Sequence, residues 1–425
     1  MADPVTEIDV DLNTQEVLLA ASQHDTAKLR RLLRANDAAG NPANVKDPET
    51  GYSPLHAAIA ACEPDEEEEV KTNGVQTNGD GQTSQQESTV EAAVQTVKLL
   101  LQEGAIWNDL DLNNETPGCI ARRLGLTELY DMVVDAGVRA ELLLNRLDGY
   151  EQLSDEEMEE DGEQEQEQQD AAIVDTGVTN TAEDESVPQL VDATAAALTQ
   201  TAEAEASVTS SRYLNSDLTF QQDRLLDQDQ NGVMMAWESD IMARSAKQLL
   251  PTPGLRVLNV GHGMGIVDGF LQEQSPSAHH IIEAHPSVVA EMKRKGWHEK
   301  PGVVIHEGKW QDILPGLVAE GVMFDAIYYD TFAESYADFR DFFTEQVIGV
   351  LEQEGKWSFF NGMGADRQIS YDVYQKVVEM DLFEAGFDVE WEEIDVPKLE
   401  GEWNGVRRPY WSIDKYRLPL CKYMD

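Results

Sequence analysis

The chain has 425 residues, of which 31 are basic and 81 acidic, for a formal charge of −50. It is longer than one ordinary domain, and its charge disfavours nucleic acid and anionic membrane surfaces while favouring basic partners. Cys62, Cys119 and Cys421 are widely spaced with no CxxC pair, which argues against a disulfide framework and a zinc cluster. The opening "MADPVTEIDVDLN" is acidic and does not read as a secretory or transit segment. No apolar run reaches the roughly 18 residues that would cross a bilayer. The expected location is the cytoplasm, with the nucleus also open to the chain.

Residues 1–147 read as short paired helices. "TQEVLLAASQHDTAKLRRLLRAN" (Thr14–Asn36) is one pair, "GYSPLHAAIAAC" with "VQTVKLLLQEGAIWND" a second, and "ETPGCIARRLGLTELYDMVVDAGV" a third. Pro54 and Pro117 lie farther apart than one ankyrin period of roughly 33 residues, by about the length of a polar stretch at 63–91. That stretch, "EPDEEEEVKTNGVQTNGDGQTSQQESTVE", is expected to be a disordered acidic insert. Without it the units fall into register as a small all-α, ankyrin-like repeat domain of the kind that binds proteins, a generic helical domain being the alternative. Residues 148–210 follow as an expected flexible acidic linker, with room for a short helix in Leu190–Leu198.

Residues 211–425 alternate strand and helix patterns, the mark of an α/β domain. Candidate strands are 255–260, 279–284, 302–307, 324–330 and 356–361, with "FDVEWEEIDVP" and "YWSIDKYRLPL" as an antiparallel hairpin on a long loop. Upstream, "GVMMAWESDIMARSAKQLL" (Gly232–Leu250) reads as one helix that places Glu238 and Met242 a turn apart.

"VGHGMG" puts Gly261, Gly263 and Gly265 after the first strand of this domain. A strand, a glycine turn and a helix begin a nucleotide-binding α/β domain, but GxGxG is not the dinucleotide fingerprint GxGxxG, and no GxxxxGK[ST] is present. The pattern instead looks like class I methyltransferases that use S-adenosyl-L-methionine, and the fold class expected is a seven-stranded Rossmann-like sheet. Glu283 at the end of the second strand suits the ribose hydroxyls, and Trp310, Gln311 and Asp312 follow the third strand where an adenine edge would sit. Asp330 closes the fourth strand, in the ligand crevice of such folds.

From about Tyr213 onward, "VMMAWESDIM", "RVLNVGHGMGI", "HHIIEAH", "EGKWQDI" and "FDAIYYDTF" resemble the guanidinoacetate N-methyltransferase family. With the helical repeats and acidic linker, the whole plan is similar to the fungal protein arginine N-methyltransferase 2 family, whose type IV activity is methylation of the internal δ-nitrogen of arginine in proteins, notably a ribosomal protein. The resemblance implies that Glu238 and Asp330 hold the guanidinium, one of them taking the released proton. It also implies that Tyr213, Met242, Gly261, His262, Gly263, Met264, Gly265, Ile266, Glu283, Ala284, His285, Trp310 and Gln311 surround S-adenosyl-L-methionine, with Asp330 shared between the two ligands. A monomer, a basic protein substrate and a partner held by the repeats are expected.

There are departures too. The SExMGxxLxxE pattern of the common protein arginine methyltransferases is absent, "YYDTFAESYADF" standing in its place. "NGMGADRQISYDVYQ" and "EGEWNGVRRPYWS" differ from the small-molecule enzyme, and Arg407 and Arg408 read as a solvated basic pair. A small-molecule guanidino methyltransferase and a non-catalytic interaction protein stay open as other readings. No metal is expected, since the eight histidines show no second cluster with ligand spacing.

Overall fold

The computed structural model describes residues 12–35, 40–64, 80–147 and 208–424. The Leu190–Leu198 helix and nearly all of the 148–210 linker lie outside these residues.

Six helices come first: α1 (Leu12–Ser22), α2 (Thr26–Leu33), α3 (Pro54–Ala60), α4 (Asp80–Gln102), α5 (Pro117–Arg123) and α6 (Thr127–Leu147). α3 and α5 start the same way, with a hydroxyl at the N-cap and proline in the first turn. Ser53 accepts from the His56 amide, and Thr116 accepts from that of Cys119. This satisfies amides that the first helical turn leaves free. The two units stack through their turns: His56 Nε2 donates to the Glu115 carbonyl at 3.1 Å, and the Leu112 amide donates to the Thr50 carbonyl at 3.0 Å. One expectation is corrected in part. The 63–91 segment is helical from Asp80 onward, because the Gln, Ser and Glu there tolerate a helix that the buried Ala93, Val97 and Leu100 anchor downstream.

The second half starts with α7 (Ser210–Leu214) and a small antiparallel sheet, β1 (Thr219–Phe220), β2 (Arg224–Leu226) and β3 (Gly232–Met235). Here the sequence reading of 232–250 as one helix is corrected. Gly232 to Met235 pair with β2, a 3₁₀ turn covers Ala236–Glu238, and α8 (Ser239–Leu249) begins only there. Met234 and Met235 were misread because both are buried, and burial on a short strand imitates a helical face.

Next come β4 (Arg256–Val260), α9 (Ile266–Glu273), β5 (Ala278–Glu283), α10 (Pro286–Arg294), β6 (Val303–Glu307), α11 (Trp310–Ala319) and β7 (Phe324–Tyr329). After them lie α12 (Tyr336–Asp341), a π turn, α13 (Val347–Val350), β8 (Leu351–Phe359), α14 (Gln368–Glu384), β9 (Phe387–Asp395) and β10 (Lys415–Tyr423). The seven strands order as β6-β5-β4-β7-β8-β10-β9, parallel except for β10, which runs antiparallel to both neighbours. This is the expected Rossmann-like sheet. β8 starts earlier than the sequence suggested, because Leu351 already pairs with Phe324 ahead of a register shift. Strand order reverses beside β4, so the ends of β4 and β7 open the crevice in which such sheets bind ligands.

The helical half is not separate from the sheet domain. Ile369, Val373 and Val377 of α14 complete the apolar core made by α1–α6. Tyr130 donates to Asp372 at 2.6 Å across the same junction.

Candidate active site

Four strand ends converge on one cleft of about 610 Å³, open mouth included. Gly261 leaves β4 at φ +93°, and a Cβ there would lie 1.9 Å from the Asp330 carbonyl oxygen. Only a glycine lets β4 and β7 end this close together. Gly263, at φ +54°, is crowded from the other side by a side chain, since its Cβ would meet the end of Met234 at 2.7 Å. The Met264 amide then donates to the Met234 sulfur at 3.2 Å, tying the glycine loop to β3.

Glu283, at the end of β5, is fixed by the backbone. Its carboxylate accepts from the amides of His262 (2.8 Å), Gly263 (3.4 Å) and His285 (2.7 Å). A carboxylate has about four acceptor sites, so capacity remains on the side that lines the cleft. His285 caps α10 by accepting from the Ser287 amide, and its Nε2 donates to the Tyr213 carbonyl at 3.0 Å. The Tyr213 ring packs on His285 and Phe332, which brings the N-terminal segment of this half over the cleft.

Trp310 forms another wall, and its position depends on a residue that the sequence reading passed over. Glu334 accepts from Trp310 Nε1 (3.0 Å), Gln311 Nε2 (3.4 Å) and Thr331 Oγ1 (2.7 Å), and from the Tyr329 hydroxyl. A carboxylate soon after a strand end was the available signal. The Gln311 carbonyl oxygen is buried with no hydrogen bond among the described residues.

Asp330, in the cleft wall, is a second unsatisfied group. Its Oδ2 is sealed and hydrogen-bonds to nothing described, and burial, aided by Asp268 and Glu283, pushes its carboxyl up to about 7. Glu238 is also raised, by burial and then by Asp330, against a hydrogen bond from the Tyr410 hydroxyl. A buried polar atom without a partner is rare enough to require an explanation, and two buried acids that both resist losing a proton suit a cationic guest.

The folded state therefore holds the Asp330 proton more tightly than the unfolded chain. Stability from this source is full below about pH 4 and falls as pH rises to about 7, by a few kcal/mol at most. The ligand-free melting temperature is expected to drop across that window, and Asp330→Asn to reduce the drop, leaving the slope from Glu238, whose carboxyl burial also raises. An unchanged slope in the variant would count against the burial of this charge.

Guanidinoacetate N-methyltransferase is the family whose profile matches, over residues 205–402. Protein arginine N-methyltransferase 2 of Emericella nidulans is 95% identical over the whole of both chains. The Aspergillus fumigatus protein of that name is 73% identical, again over the whole of both chains. That of Neurospora crassa is 45% identical, covering 96% of this chain and 95% of its own. The chain belongs to the protein arginine N-methyltransferase 2 family.

As a member of that family the chain is an arginine N-methyltransferase, and enzymes of this class draw the methyl group from S-adenosyl-L-methionine. The residues fit such a donor. Glu283 keeps acceptor capacity, the glycine loop brings backbone to the cleft, Trp310 supplies an aromatic wall, and the unpartnered Asp330 oxygen suits a positive centre.

Several expected donor contacts are not on the cleft wall. His262 turns its ring away, donating to Asp268 at 2.6 Å and packing edge-on to Trp297, so its amide is what serves the site. Met242 is fully buried in the core beneath β3, and Ile266 packs against that core from the start of α9. Gly265 leans on the His262 ring, while Gln311 and His285 act through Glu334 and Tyr213. Tyr213, Gly261, Gly263, Glu283, Ala284, Trp310 and Asp330 do line the cleft. Glu238 lies behind them, 3% exposed.

Proposed function

We propose that this chain monomethylates the δ-nitrogen of an arginine side chain in a basic protein, with a ribosomal protein as the acceptor to test first. The observation that carries this reading is the buried pair of Glu238 and Asp330 beside the donor cleft, each held above the ordinary carboxylate range by burial, with Asp330 adding to the shift at Glu238.

A guanidinium is planar and cationic, and its lone pairs are delocalised, so it is a poor nucleophile. Two carboxylates hold it by charge-assisted hydrogen bonds and hold one nitrogen in line with the methyl carbon, which supplies proximity and alignment. As the new N–C bond forms and the bond from sulfur to methyl breaks, that nitrogen gives up its proton. Asp330 or Glu238 accepts it, and a carboxyl held at about 7 is well matched to that task. Asp330 faces both ligands. The internal nitrogen is favoured by the segment after β7, where "DTFAES" replaces the paired-glutamate pattern of enzymes that dimethylate terminal nitrogens. The −50 charge suits a cationic protein, and the ankyrin-like helices of the N-terminal half would recruit it.

The test is transfer of labelled methyl to a basic ribosomal protein fraction, followed by acid hydrolysis and identification of the modified amino acid. Label on the δ-nitrogen of arginine is expected. Label on free guanidinoacetate alone would favour the second reading, a small-molecule guanidino methyltransferase, which the family profile over residues 205–402 also supports.

A further inference from the structure

We propose that Tyr410 is a positioning residue for the acceptor arginine, orienting Glu238 toward the guanidinium, and that the loop between β9 and β10 is the aromatic wall on which that cation lies. The inference rests on the arginine-acceptor reading above.

Glu238 stands at the N-cap of α8, yet its side chain makes no capping bond. Its polar side-chain partner is the Tyr410 hydroxyl, which donates to Oε1. A carboxylate this deeply buried needs a donor to stay charged and fixed, and this donor comes 172 residues later in the chain. The Tyr410 ring is held on several sides. It meets Trp403 edge-on at 4.9 Å and lies 6.1 Å from Trp237, whose own ring is 5.6 Å from Trp411. A Cβ on Gly232 would touch it at 3.0 Å.

The loop that carries these rings is pinned from its middle to its C-terminal end. The Arg407 amide donates to the Gln230 carbonyl at 2.7 Å, Arg224 Nη1 donates to the Asn404 carbonyl at 2.8 Å, and the Ser412 amide donates to the Ala365 carbonyl at 2.9 Å. Flat aromatic faces beside a carboxylate suit a guanidinium, which stacks on rings while donating in its own plane. An ammonium would use only the charge.

Glu238 is faced by Asp330 and Tyr328 from β7 and its end, by Tyr416 from β10, and by Tyr410 from the loop. The Tyr410 hydroxyl is the side-chain group among these that favours the charged carboxylate, with a backbone hydrogen bond at Met235 adding to it.

Tyr410→Phe keeps the ring and removes the donor. KM for an arginine-containing basic peptide is expected to rise about tenfold, as loss of a hydrogen bond to a charged group implies, with kcat changed far less. The acidic limb of kcat/KM should move to higher pH, and S-adenosylhomocysteine should bind as in the wild type. Trp403→Leu thins the wall but keeps the hydroxyl, so it should raise KM without moving the limb. An unmoved limb and unchanged KM in Tyr410→Phe, with Glu238→Gln strongly impaired, would overturn the role of Tyr410 alone. A moved limb in Trp403→Leu would overturn the division between wall and hydroxyl. If Glu238→Gln keeps activity within a few fold of the wild type, the carboxylate-pair reading fails first and takes this inference with it.

Discussion

Asp330→Asn is expected to lower kcat/KM for methyl transfer to arginine by about a thousandfold, the range set by loss of a proton acceptor in a closed site. Asparagine matches aspartate in size, so the fold should hold. What is lost is the charge that holds the guanidinium and the acceptor that takes its proton. Because Asp330 also lines the donor cleft, donor binding should weaken as well. Glu238→Gln removes the second carboxylate without touching the cleft wall, so it should cost about a hundredfold and leave donor binding intact. Single-turnover kinetics with separate donor titration would distinguish the two. Asp330→Asn retaining activity within a few fold would remove the basis for the assigned roles.

Gly261→Ala is the substitution expected to cost the most stability, about 4 kcal/mol by denaturant unfolding. Two penalties combine. Gly261 sits at φ +93°, which an L side chain resists, and its new methyl would lie 1.9 Å from the Asp330 carbonyl oxygen. That oxygen belongs to the backbone and cannot swing away, so β4 and β7 must part. Gly254→Ala is the control, at φ +88° with open space around the added carbon. It should carry only the backbone penalty of about 1 kcal/mol. Equal losses in the two variants would mean that the close approach of the strands does not matter.

Much of this was legible in the sequence because the relevant signals are local. "RVLNVGHGMG" places a strand, three glycines and a helix start within a few residues, and each has one backbone solution. Glu283 and Asp330 end predicted strands, and the sheet brings strand ends together. What escaped is long-range. Tyr410 reaches Glu238 from a loop whose spacing carries no periodicity, and Glu334 matters only because four donors from α11, β7 and the turn after β7 meet there. Met242 was misplaced for a related reason. It lies one turn into α8 from Glu238 at the N-cap, where the side chain is fully buried in the core.

α14 gives Ile369, Val373 and Val377 to the core of the N-terminal helices, and Tyr130 meets Asp372 across 242 residues of sequence. As the chain leaves the ribosome, its first helices must wait for most of the remainder before they can close their own interior. Contacts so distant in sequence are slow to form, and until then an apolar stripe on α6 stays uncovered. The same holds for a chain cut at the acidic linker. Each fragment would carry half of a greasy seam, and co-expression of the two halves should rescue solubility where either alone precipitates.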